Sequence, residues 1–115
     1  MNRLTMDRPH PRFAVGGRIR CHLEPHNVSL TLVTVGRDGF VVRAPMKSRV
    51  GDVHRIRFTV EGQRDAIFVL SARVVHCTES VASPAAQYLI GMEFIDTNTQ
   101  VSQRAIAHLV GVASN

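Results

Sequence analysis

The chain has 115 residues, 44% hydrophobic and 20% charged, which fits one domain around a single core and excludes a chain disordered throughout. Its net charge is +5, and thirteen of its fourteen Lys and Arg residues are Arg, whose planar fork of donors matches phosphate and guanine edges. Aromatic residues make up only 5%, with no Trp, so a base-stacking platform for nucleic acid is poorly supplied. The longest apolar runs, such as 66–70, are too short for membrane insertion.

Residues 1–15 are polar, and Pro9 and Pro11 hold the chain extended; they read as a flexible N-terminal arm. From residue 18 the sequence alternates. Ile19, Cys21 and Leu23 share one face and Arg18, Arg20 and His22 the other, as in a half-buried strand. Residues 24–27, with Pro25, read as a turn, and 28–35 as a second strand rich in Val, Leu and Thr. Gly36-Arg37-Asp38-Gly39 is a tight turn by composition, Asp-Gly offering the positive φ that hairpins use. A third strand spans 40–44 and a loop 45–52. Residues 53–60 then place Ile56, Phe58 and Val60 inward and Arg55, Arg57 and Thr59 outward. After a turn at 61–65 comes a long strand at 66–77, with Ser71 marking a bend. A small-residue loop at 78–86 leads to a last strand at 87–95 containing Gly91.

The period then becomes helical. Thr97, Asn98 and Thr99 are candidate N-caps, and Val101, Ala105, Leu109 and Val112 form an apolar stripe widened by Ile106 and Val110. Six strands with hairpin-like links and no helix between them argue against a parallel α/β sheet. The expected fold is all-β and mainly antiparallel: a six-stranded β-barrel over 16–96, closed to remove exposed edges, with a C-terminal α-helix over 97–112.

Little in the sequence points to catalysis. There is no G-x-S-x-G and no P-loop, and the nine carboxylates are scattered, so the chain reads as non-enzymatic. Cys21 adjoins His22 and Cys77 adjoins His76, but strand neighbours point to opposite faces, so neither pair reads as a metal site. No secretory signal is visible in 1–17, which implies a cytoplasmic protein with two free thiols. Arg18, Arg20, Arg43, Arg55, Arg57 and Arg73 lie on strands and could together form a basic face.

Four segments carry a resemblance. Arg8-Pro9-His10-Pro11-Arg12 spells R-x-x-x-R just before the first barrel strand. Thr34-Val35-Gly36-Arg37-Asp38-Gly39 ends in a glycine at the second strand's turn. Val50-Gly51-Asp52-Val53 leads into an alternating strand, and Tyr88-Leu89-Ile90-Gly91-Met92-Glu93-Phe94 is a hydrophobic-Gly-hydrophobic-x-Phe strand ahead of a helix. Over 8–112 this layout resembles the PilZ family of cyclic di-GMP receptor domains. The resemblance implies that Arg8 and Arg12 reach the phosphates and guanine faces of the ligand. The family's second motif, D/N-x-S-x-x-G, falls on Thr34, Gly36 and Gly39. Gly39 matches it, Thr34 stands where Asp or Asn is expected, and Gly36 stands where Ser is expected. Losing a charge-assisted hydrogen bond costs roughly 1.5–3 kcal/mol, so the two changes together imply an affinity reduced by about two orders of magnitude or more where nothing nearby compensates. The implied function is a signalling domain that binds cyclic di-GMP weakly and relays to a protein partner. No cofactor or metal is implied. The alternatives are an adaptor that binds protein and no nucleotide, and, less favoured, a basic barrel for nucleic acid.

Overall fold

The alternation in the sequence becomes alternation in burial. The computed structural model describes residues 11–62, 66–80 and 87–115. Seven strands run along the chain: β1 (Arg12–Ala14), β2 (Ile19–Glu24), β3 (Val28–Gly36), β4 (Gly39–Ala44), β5 (Val53–Val60), β6 (Ile67–Ser80) and β7 (Gln87–Phe94). One helix, α1 (Gln100–Ser114), follows. Every strand pairing is antiparallel. Six strands close in the order β3-β2-β5-β6-β7-β4, and β4 returns to pair with β3. The all-β barrel with a C-terminal helix is therefore the observed architecture, and closure leaves no open sheet edge between β2 and β4.

Strand β1 is an addition to the barrel. Residues 1–10 lie outside the described residues, while Arg12–Ala14, which the sequence reading placed in the arm, form β1 on the C-terminal half of β3. β2 covers Val28 to Leu30 and β1 covers Thr34 to Gly36. A bulge between Leu32 and Thr34 separates the two stretches, and the carbonyl of Val33 there accepts the Val15 N–H at 3.1 Å. An extra residue bends a strand and increases its twist. That bend lets β3 serve β2 at one end and β1 at the other.

The interior is aliphatic with three phenylalanines at its centre. Phe40 and Phe58 meet edge to face at 5.3 Å, and Phe94 lies 5.1 Å from Phe40. Ile56, Ile90, Val35 and Cys21 are fully buried around them. Burial at roughly 25 cal/mol per Å² of apolar surface is the main source of stability in such a core.

Strand β6 and the helix each depart from expectation. β6 runs to Ser80, beyond the expected end at 77, and Ser71 pairs regularly with Arg55; the irregularity lies between Val74 and His76. The helix starts at Gln100 behind Thr99, whose hydroxyl accepts the Ser102 N–H at 3.1 Å. Its buried face is Ala105, Ile106, Leu109 and Ala113, whereas Val101, expected in the stripe, is 80% exposed. Helix α1 packs on β1, β2 and β3. Arg18 holds its end, donating to the carbonyls of Ala113 at 2.8 Å and Asn115 at 2.7 Å. A cation there satisfies carbonyls that have no partner within the helix.

Candidate functional site

Strand pairing brings most of the sequence-predicted site residues to one place. Arg12 pairs with Gly36, Phe13 with Val35, and Ala14 with Thr34. Paired residues share a face, so Phe13 and fully buried Val35 turn toward the core while Arg12, Gly36 and Thr34 turn outward. On β4, Phe40 is fully buried and pairs with Val35, so Gly39 takes the outward parity of Gly36. Arg12, Thr34, Gly36 and Gly39 thus lie on one outer face around the β3–β4 turn. Arg8, the fifth candidate, lies outside the described residues.

Each glycine has a steric reason. A Cβ on Gly36 would stand 2.6 Å from the Pro11 carbonyl oxygen and 2.9 Å from Arg12 Cγ. The family's Ser does not fit here unless β1 moves away. A Cβ on Gly39 would stand 2.1 Å from the Met92 carbonyl oxygen, so Gly39 permits β4 to approach β7. The turn itself is Arg37-Asp38, and Gly39 is already the first residue of β4. The left-handed φ values fall elsewhere, at Asn27, Asp96, Gly16, Gly17, Gly51 and Gly62. The positive φ expected of the Asp-Gly pair is therefore not what selects Gly39.

The electrostatics centre on Arg12 and Asp38. Arg12 Nε lies 3.5 Å from Asp38 Oδ1, with the two side chains 13% and 31% exposed. The distance makes an ion pair, yet both atoms are buried and neither has a hydrogen-bond partner among the described residues. Asp38 is held from behind, because its carbonyl accepts the Phe94 N–H at 3.0 Å. Its neighbour Arg37 is exposed and lines a hollow of about 290 Å³ with Thr97, Gln103, Ile106 and Ala107. Sequence reasoning assigned Asp38 only to the turn; the signal it carried was a carboxylate two residues from Gly36 in an Arg-rich chain.

Elsewhere the outer surface is largely self-paired. Arg20 meets Glu61 at 2.9 Å, Arg73 meets Glu93 at 3.2 Å, and Arg57 meets Glu24. With Arg18, just before β2, on the helix end, four of the six arginines that the sequence placed on strands have partners within the chain. That breaks up the continuous basic face which nucleic-acid binding would need. A larger hollow, about 540 Å³, lies on the β2–β5–β6 face, lined by Glu24, Pro25, Arg55, Arg57 and Val69, and holds none of the candidate residues. No helix among the described residues is long and apolar enough to cross a membrane.

Comparison with known proteins agrees with this architecture. The PilZ domain of Escherichia coli YcgR, solved with c-di-GMP, superposes with a TM-score of 0.68 at 11% identity, covering 93% of this chain and 91% of that one. The longer YcgR chain, in complex with c-di-GMP, gives 0.69 at 14% identity; the match covers 90% of this chain and 44% of that one. An uncharacterised protein of Legionella gives 0.56 at 18% identity, with 90% of each chain covered. No curated protein matches the sequence. At these identities the structures establish the fold alone. The PilZ domain family model matches residues 6–111, nearly the whole chain and both arginine positions, and on that match the chain belongs to the PilZ domain family.

Proposed function

We propose that the protein is a non-enzymatic receptor domain for cyclic di-GMP, with the ligand held on the outer face of β1 and β3. The observation that carries this reading is the register that sets Arg12 beside Gly36 with Thr34 on the same face. Arg12 brings a buried Nε that, among the described residues, faces Asp38 at ion-pair distance and has no hydrogen-bond partner. The ligand's phosphodiester oxygens and its guanine O6 and N7 are acceptors, and Arg engages them in pairs. Arg8, four residues earlier, would close on the same ligand. The solved YcgR PilZ domain, which carries c-di-GMP, adds support through a shared fold and family.

Affinity is reduced in this reading, because Thr34 offers a hydroxyl where the family has a carboxylate or amide, and Gly36 offers no side chain. Closure of Arg8 and Arg12 on the ligand would change the surface beside β1 that a protein partner reads. Residence in the cytoplasm, where the second messenger is made, follows from the same reading. The alternative, an adaptor that binds protein and no nucleotide, has one observation in its favour: Arg12 already faces a carboxylate of its own chain. Isothermal titration separates the two. A receptor binds cyclic di-GMP, and Arg12→Ala weakens it by about tenfold or more, the worth of one charge-assisted pair. An adaptor gives no heat up to millimolar ligand.

A further inference from the structure

The two unsatisfied atoms of the site point to a residue that the motif does not include. We infer that Asp38 is the carboxylate of this site: it supplies part of the acceptor role missing at Thr34 and reads the guanine base. The inference rests on the receptor reading above.

Three observations lead there. Asp38 Oδ1 is buried and accepts no hydrogen bond among the described residues, although a buried polar atom is normally partnered. The same oxygen lies 3.5 Å from Arg12 Nε and 3.4 Å from the point where a Cβ on Gly36 would stand, which puts it over the centre of the candidate site. The Asp38 backbone is tied to Phe94, so the side chain is presented from a fixed position.

What would satisfy both atoms is a molecule with an acceptor for Arg12 and donors for Asp38. Phosphate alone supplies only the first. Guanine supplies both, because O6 and N7 accept while N1–H and the N2 amino group donate side by side, a match for the two oxygens of a carboxylate. Adenine presents one amino donor beside a ring acceptor, which a carboxylate repels. Asp38 would therefore set base specificity, while Arg12 holds the ligand. The nearby carboxylate also offsets part of the positive charge that draws the phosphates, in keeping with a site selective for a base rather than for anions in general.

The test is a titration of wild type, Asp38→Asn and Asp38→Ala with cyclic di-GMP and with cyclic di-AMP, circular dichroism serving as the check on folding. Wild type is expected to favour the guanine ligand by at least tenfold. Both variants should lose at least tenfold in cyclic di-GMP affinity and bind cyclic di-AMP no more weakly than wild type, so that the preference for guanine is lost. Wild-type binding that the variants match or exceed overturns this inference alone, because the carboxylate would then be a competitor for Arg12. No binding by wild type overturns the receptor reading and this inference together.

Discussion

Arg12 and Gly36 face each other across the β1–β3 pairing so closely that a single added carbon at residue 36 would meet both the Arg12 side chain and the Pro11 carbonyl. The residue that departs from the family's serine is thus tied to the docking of the strand that carries Arg12. Gly36→Ser should not tighten the site, even though it restores the family residue. Overpacking of this kind costs about 1–3 kcal/mol. Chemical denaturation is expected to show that loss, with faster hydrogen exchange at the Val15 amide, which bonds to Val33 behind β1. Unchanged stability together with tighter ligand binding would contradict the account of Gly36.

The helix tests the packing assignment. Leu109 is fully buried, so Leu109→Ala removes a core side chain and should cost about 2–5 kcal/mol. Val101 is 80% exposed, and Val101→Ala should stay within about 0.5 kcal/mol. Denaturant midpoints of the two variants at equal slope provide the comparison. Equal losses would mean that α1 is rotated relative to the position described.

The two cysteines should differ as nucleophiles. Burial pushes the Cys21 thiol up from its ordinary 9.0 to about 12, because the barrel interior disfavours a thiolate. Cys77 is only partly buried. A thiol reagent at pH 8 should modify Cys77 in the folded protein and reach Cys21 only on unfolding. The raised value has a pH consequence: the Cys21 contribution to stability is complete below pH 9 and declines as pH rises through 9 toward 12. Cys21→Ala should flatten that part of the stability profile. Rapid labelling of both thiols in the native state would contradict the burial.

Much of the fold was legible because its signals are local. The alternation of β5 placed Ile56, Phe58 and Val60 inside and Arg55, Arg57 and Thr59 outside, as observed. β1 was not legible: three residues carry no period, and only pairing with β3, twenty residues away, makes them a strand. For the same reason the irregularity in β6 was sought at Ser71, a small residue, when its position between Val74 and His76 depends on the partner strand β7. Val101 matched the helical spacing, but a stripe of spacing does not say where the barrel surface ends.

At the site, the resemblance to the PilZ motifs proposed Arg8, Arg12, Thr34, Gly36 and Gly39, and the register gathers the four that lie among the described residues on one face. The part of Asp38 was hidden because an Asp-Gly pair already had an explanation as a hairpin turn. Only three-dimensional placement shows its carboxylate against Arg12.

The most direct test of the central claim is amide NMR of isotope-labelled protein titrated with cyclic di-GMP. Shifts are expected to concentrate on β1, on Thr34 to Gly36 and on the Arg37-Asp38 turn, and Arg12→Ala should need about tenfold more ligand, or beyond, to produce them. No shifts at millimolar ligand, or shifts confined to the β5–β6 face around Arg55 and Val69, would contradict the claim.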